Sequence, residues 1–519
     1  EADAVSLRLP DFFDEEKAAS FLMIKREPYG VFELFLPLPL PGKKYAFSIK
    51  HGKSPALRGD PYALSHAEDG GECAVVCALP EALSRTLSKT GEEIAGGALL
   101  AQEQKKAAKT AAQEKRARMQ EPLAIREASL PLYFGALKKL AKDTRELGFT
   151  HIAFAMGDPF TDQGVYSPFA PYPALSLSAL CAFIAECHRE GLGVFIDWDM
   201  DGFSSGENGL SRFDGSALYE HEDMRRGYRN ADARFLYQYG RPQVRNFLLS
   251  AAFYRVCALG ADGIYAKRLG SALYLDYNKK PDEWLPNMFG GNMNTEAVSL
   301  LQTANAELIK RVPEAFRLAS TGAIWKEVAG APEGDGLGFD LAENEDFQDF
   351  SEFLSKDDSG KREGFELSLS GVRYAYVEPR FVALTEPDEA LLSEAGTEAD
   401  TERAGEAVAR IKLALAYAVL HPGKKLFRLD CLSEASALPA RRRVMLRKYV
   451  KELLSFYASE RALYEKEMQE DGFAFLNAAS ANALTLTYTR SGRKKADKRY
   501  VFVNFSSVPL KWRAGVPEK

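Results

Sequence analysis

The sequence predicts an α/β protein built on a (β/α)8 TIM barrel, with a small N-terminal β module and a partial C-terminal β domain. The first observation is a set of short apolar runs that read as buried strands. They are "FTHIAFAM" (149–156), "GVFIDWD" (193–199), "DGIYA" (262–266), "FRLAS" (316–320), "LGFDL" (337–341), "FVALT" (381–385) and "KLFRL" (425–429). The second is that amphipathic stretches such as "LSALCAFIAECHREGLG" and "VRNFLLSAAFYRVCALGA" lie between them. Buried strands alternating with helices imply a parallel sheet covered by helices. The third is that no Gly-rich phosphate loop opens any of the helices, which removes the nucleotide-binding doubly wound alternative. So many strands across the middle of the chain suit a closed barrel.

The flanking segments follow from local pattern. From Gly30, "GVFELFLPLPLPGKKYAFSIKHG" alternates apolar and polar residues in two runs around Pro41-Gly42, which reads as a β-hairpin, and "DPYAL" (60–64) closes this module at residues 1–66. Residues 67–130 read as a helical linker or insertion. "AQEQKKAAKTAAQEKRARMQ" (101–120) is rich in Ala, Lys, Gln and Glu and has little apolar face. A solvated linker is favoured there over a basic docking arm. The barrel is expected over 131–465. The alternating "LTLTYTRSG" and "RYVFVNFSS" mark the start of a C-terminal β domain over 466–519.

Composition narrows the function classes. A chain of 519 residues exceeds one compact core. Its 46% hydrophobic and 27% charged residues are those of an ordinary globular protein. No apolar run approaches the ~18 residues of a membrane span, so no membrane partner is expected. A net charge of −6 disfavours nucleic acid. The six cysteines match no zinc spacing and are sparse for a disulfide framework, which points to a cytoplasmic location. No metal and no cofactor are expected.

At the expected strand ends, where barrel enzymes place their chemistry, the sequence resembles a known family. "LGFTHIAFAM", "REGLGVFIDWD", "RFDGSALYEHED", "YGRPQVRNFLLS", "LYLDYNKKPDEWLPNMFGG", "GLGFDL" and "LAYAVLHPGKKL" are similar to bacterial 1,4-α-glucan (glycogen) branching enzymes of glycoside hydrolase family 13. The resemblance runs from about Gly30 to Pro517. The N-terminal hairpin with "DPYAL" resembles the end of the family-48 carbohydrate-binding module, and the last strands resemble the start of the family's C-terminal domain. Both flanking domains look reduced, so the 519 residues read as part of a longer chain.

The resemblance implies an α-glucan substrate and a retaining transglycosylation. That reaction uses a nucleophilic carboxylate and a general acid/base about 5–5.5 Å apart. In the family the strand matching "DGIYAK" ends Arg, Val, Asp; here those positions are Tyr265, Ala266 and Lys267. An ammonium cannot form the glycosyl ester that the aspartate forms. The acid/base position falls on Ser320 or Thr321, and a hydroxyl is a poor general acid near neutral pH. The sugar-binding His after "DWDMD" becomes Gly202. The family's His-Asp-Glu becomes Pro387, Asp388 and Glu389, so Asp388 is the one site carboxylate retained.

Three readings of Lys267 stand open. It neutralises Asp388 or Asp197 in a disused cleft; it helps hold a ligand such as a sugar phosphate; or, with Arg268, it is a Schiff-base lysine. Asp388 either grips sugar hydroxyls or is a surface carboxylate beside Glu386 and Glu389. Asp197 matches a residue that supports the missing arginine. Tyr166 matches a cleft tyrosine that would stack on glucose, or it packs internally. Trp284 and Asn287 are read as loop architecture, and Cys181 and Cys187 as helix core. The basic run "ARRRVMLRK" (440–448) is read as a solvated helix face or a site for an acidic partner.

The expected function is a branching-enzyme homologue without catalysis, bound to α-glucan or to a protein of glycogen metabolism. The alternatives are an active enzyme with relocated acids such as Asp262, Glu327 or Glu389, and an interaction scaffold with no carbohydrate role.

Overall fold

The computed structural model describes residues 2–510, apart from 15–16, 29, 39, 53, 68–72, 79–109, 111–112, 116, 132–133, 158–166, 173–174, 207–208, 321–327, 333, 345–346, 348–349, 364–379, 385–386, 388, 398–400, 435, 468 and 477–482. Eight parallel strands close into the expected barrel. In chain order they are Ala124–Glu127 (β1), His151–Phe154 (β2), Gly193–Asp199 (β3), Gly263–Lys267 (β4), Phe316–Ala319 (β5), Leu341–Glu343 (β6), Arg380–Leu384 (β7) and Lys424–Arg428 (β8).

Two corrections concern strand placement. β1 lies inside the segment expected to be linker, so the barrel begins ahead of residue 131. Its apolar signal is only Ala124 and Ile125, followed by a charged pair that local pattern reads as exposed. Both charges are in fact buried and compensated. Arg126 donates to Asp143 Oδ2 at 2.8 Å and to Thr144, and Glu127 pairs with Arg428. β6 sits at Leu341–Glu343, just beyond the expected 337–341.

The chain clusters into two compact units. One comprises Glu1–Lys115, Ser129–Lys142 and Ala153–Asp340; the other comprises Arg116–Ala128, Asp143–Ile152 and Leu341–Lys519.

In the first unit, the N-terminal module corrects the expected hairpin. The turn at Pro41-Gly42 is present, with Gly42 at φ +83°, but the runs either side do not pair with each other. Val31–Glu33 pairs back with Ile24–Arg26, whereas Lys44–His51 pairs with Ala4–Asp14 and Ser54–Arg58. The "DPYAL" segment is held by its own aspartate, since Asp60 accepts from Tyr45 Oη at 2.7 Å and from the Tyr62 amide at 2.8 Å. The linker helix is not wholly solvated: Lys115 is buried and donates to Asp340 Oδ2 and the Ala315 carbonyl, each at 3.1 Å.

Two of the barrel helices start at polar caps. Ser176 accepts from the Ala179 amide ahead of Leu177–Arg189, and Asn294 accepts from Ala297 ahead of Thr295–Arg311. Cys181 and Cys187 lie on the first of these helices, with Cys187 buried. No described helix is long and apolar enough to cross a membrane.

Asp262, one of the alternative acids, precedes β4 at its N-terminal end. It accepts from the Val194 amide at 2.8 Å and lies 2.9 Å from His188 Nε2. The hydrogen bond to Asp262 raises the His188 pKa above its ordinary 6.5. The stabilisation this pair supplies is therefore complete below about 6.5 and is lost as pH rises through the raised value. His188→Ala should cost roughly 0.2–1 kcal/mol below that window, the range of solvent-screened pairs. The difference should vanish in alkali. Urea denaturation of the two proteins at acidic and alkaline pH checks this; a difference independent of pH would refute the assignment.

In the second unit, helices Glu402–Leu420 and Ala440–Ser459 bury Ile411, Leu415, Leu446, Val450 and Leu454 in a common core. The basic run is not a plain solvated face, because three of its arginines are bound within the unit. Arg442 donates to the Ala395 carbonyl at 2.7 Å, Arg443 to the Leu438 carbonyl at 2.6 Å, and Arg447 pairs with Asp143. The C-terminal strands Phe473–Phe475, Thr485–Ser491 and Lys498–Asn504 form an antiparallel sheet. Arg490 of that sheet faces Glu467 at 3.8 Å, and Glu467 holds Lys424 of β8 at 2.7 Å, all with fully buried side chains.

Candidate functional site

The expected site residues that fall among the described ones come together at the C-terminal ends of β3, β4 and β5. In the parallel register Asp197 lies opposite Tyr265, and Asp199 lies opposite Lys267. Backbone bonds from Ser320 N to the Ala266 carbonyl (2.8 Å) and from Leu269 N to the Ser320 carbonyl (3.0 Å) fix Ser320 beside the end of β4. Tyr166, Thr321 and Asp388 lie outside the described residues, as do Glu327 and the side chain of Glu389.

Lys267 Nζ is 3.0 Å from Asp197 Oδ2 and 5.0 Å from the centre of the Tyr265 ring. Both ends of the ion pair are largely buried. The Asp197 carboxylate favours the charged form of Lys267 over the free amine that Schiff-base chemistry requires.

The pair belongs to a larger network that the sequence reading did not assemble. Alternate residues of a strand point the same way, so "DWDMD" aligns acids at 197, 199 and 201. Arg268, in left-handed backbone at φ 55°, pairs with Asp199 and reaches Asp201 at 3.5 Å. A small three-stranded sheet after β3, formed by Phe203–Ser204, Tyr228–Arg229 and Arg234–Phe235, brings two more arginines. Arg229 donates to Asp201 Oδ1 at 2.9 Å and to Asp232 Oδ2 at 2.6 Å, and Arg234 donates to Asp201 Oδ2 at 2.5 Å. Burial opposes the Arg229 charge, but its hydrogen bonds to Asp232 and Asp201 more than offset this and raise its pKa.

Four carboxylates (Asp197, Asp199, Asp201, Asp232) and four cations (Lys267, Arg268, Arg229, Arg234) thus balance formally at zero. Buried Arg255 donates to the Asp197 carbonyl at 2.7 Å, and Lys279 sits on the adjoining loop, where burial and then Arg229 push its pKa down to about 8. Among the described residues no group of His, Cys, Asp and Glu has the arrangement of a metal site.

Gly202 stands where the family resemblance leads one to expect a histidine. It has φ +123°, and a Cβ built there would lie 2.1 Å from the Phe235 carbonyl oxygen. The backbone of the small sheet occupies the space a side chain would need. A histidine at this position requires the main chain to move.

Asn287 is loop architecture. Its Oδ1 accepts from the Phe289 and Gly291 amides at 2.9 and 3.0 Å, and its Nδ2 donates to the Met293 carbonyl at 2.9 Å.

The fold comes first: it is a barrel architecture shared with solved pullulanases and a putative alpha amylase. The pullulanase type I of Bacillus subtilis, solved with maltose, superposes with a TM-score of 0.66 at 14% identity, over 100% of this chain and 77% of that one. A putative alpha amylase from Salmonella typhimurium gives 0.65 at 14% identity, over 100% and 93%. No family model matches. Sequence relatives go further. The 1,4-alpha-glucan branching enzyme GlgB 2 of Rhizobium etli is 30% identical over 95% of this chain and 69% of its own length. The GlgB of Bordetella bronchiseptica is 31% identical over 95% and 68%, and that of Aquifex aeolicus 28% over 100% and 84%. The chain belongs to the 1,4-alpha-glucan branching enzyme family.

Proposed function

We propose that this family member does not branch glucan and acts by binding, either to α-glucan itself or to a protein of glycogen metabolism in the cytoplasm. The observation that carries the reading is the Lys267–Asp197 ion pair, 3.0 Å long, at the strand end where family resemblance places the nucleophile. Ser320 or Thr321, at the other position the family resemblance assigns to catalysis, offers a hydroxyl where the reaction needs an acid. The surrounding arginine–aspartate network satisfies its charges internally, which suits a cleft filled by its own side chains.

On this reading Asp388 and Tyr166 are the residues to examine for sugar contact, and Asp197 serves as the partner of Lys267. The relatives are named for 1,4-alpha-glucan, and pullulanases of the same fold were solved with maltose and maltotetraose. An α-glucan is therefore the first ligand to try. Migration in a native gel cast with glycogen should be retarded relative to a plain gel. Unchanged mobility would remove the glucan and leave the protein partner.

A further inference from the structure

An exposed apolar sheet face stands at the N-terminus, far in sequence from the strand-end network. Strands Ile24–Arg26 and Val31–Glu33 pair antiparallel, with Ile24 opposite Glu33, Lys25 opposite Phe32 and Arg26 opposite Val31. Paired residues share a face and neighbours along a strand alternate. Phe32 therefore points one way, and it packs with Met23 against the small core of Ala2, Val5 and Ile49. Ile24, Arg26, Val31 and Glu33 point the other way, into solvent. Ile24 is 59% exposed and Val31 55%. Leu22 and Phe35, which continue the same alternation beyond each strand, are 69% and 85% exposed. Four large apolar side chains thus surround one diagonal ion pair, Arg26 Nε to Glu33 Oε1 at 2.7 Å.

A lone two-stranded sheet is marginal in water, and contiguous apolar surface marks an interaction site. The chemistry of the face selects the occupant. Three of the four apolar groups are aliphatic, and the two polar groups bond each other, so the face matches an apolar protein surface better than a sugar ring. One cation and one anion placed diagonally among apolar corners form a self-complementary pattern. A two-fold axis through the face sets Arg26 of one copy against Glu33 of the other, with aliphatic side chains packed around both crossings, as an isologous interface requires. We propose that this hairpin face joins two copies of the chain into a dimer.

Sedimentation equilibrium of the full chain at micromolar concentration tests the proposal. The wild-type protein should approach twice the chain mass, and Ile24→Lys with Phe35→Glu should return it to a monomer with an unchanged circular dichroism spectrum. A charge test separates the two-fold interface from loss of apolar surface. Arg26→Glu alone and Glu33→Arg alone each leave like charges on the face and should be monomeric. An equimolar mixture of these two variants should regain the dimer mass. A wild-type monomer overturns the proposal, and so does a dimer that survives Ile24→Lys with Phe35→Glu. A mixture that stays monomeric overturns the crossed charge pairing.

Discussion

Amylose incubated with the purified protein should keep its debranched chain-length profile unchanged, and Lys267→Asp should not alter that result. On the proposed reading, an ion-paired lysine stands at the nucleophile position, and Ser320 or Thr321 at the acid/base position. Both half-reactions of a retaining mechanism then lack their carboxylate. The general acid alone contributes roughly 10²–10⁴-fold, so restoring only the nucleophile leaves a rate too low to see. The substitution also removes the cation beside Asp197 and adds a carboxylate next to Asp197 and Asp199, with Tyr265 where the family has its arginine. Its melting temperature should fall along with its lack of activity. New branches made by the wild-type protein that persist in Lys267→Ala would sink the reading and place the nucleophile elsewhere.

Glu467→Gln should be among the most destabilising single changes in the second unit, by about 3–5 kcal/mol, the cost of removing one partner of a buried ion pair. Glu467 and Lys424 are each 0% exposed and 2.7 Å apart, with Arg490 at 3.8 Å and Lys425 at 4.0 Å. Burial, ahead of the opposing Glu467 charge, pushes the Lys425 pKa well below its ordinary value. Lys424 also donates to the Glu121 carbonyl at 2.8 Å, and Arg490 to the Leu420 and Leu463 carbonyls at 2.8 and 2.9 Å. The neutral amide leaves those cations buried without the carboxylate that compensates them. Urea denaturation followed by circular dichroism measures the loss. Pairing Glu467→Leu with Lys424→Met should recover part of it, because no orphaned charge remains at that pair. A loss below about 1 kcal/mol would mean that water reaches the cluster.

These two sites also show where the sequence was legible. β3, β4, β5, β7 and β8 could be read because each is a short apolar run facing a buried sheet. β1 escaped because Arg126 and Glu127 are buried only by virtue of partners 17 and 301 residues away. The N-terminal pairing escaped for the same kind of reason: a Pro-Gly turn is local, whereas the strand that Lys44–His51 joins lies at the start of the chain. At the strand ends the residues at 267, 320 and 202 were legible one by one as departures from the pattern that the family resemblance implies. Their meaning was not, since the arginines that neutralise Asp201 enter from 28 and 33 residues further along. Tertiary charge pairing leaves no periodic trace, and single positions do not reveal it.

The carbonyl of Phe235 that fills the space beside Gly202 bears on reversibility. Had the cleft differed from an active one only in side chains, exchanging those residues would regenerate it in any order. Here the main chain of a small sheet occupies the volume a side chain at 202 would need, and Arg229 and Arg234 of that sheet are anchored to Asp201. On the proposed non-catalytic reading, a histidine placed at 202 alone meets a clash and an aspartate placed at 267 alone leaves an unbalanced charge, so the barrier to a catalytic site is collective. Engineering a branching activity back into this scaffold is a matter of transplanting residues 197–235 together with the end of β4.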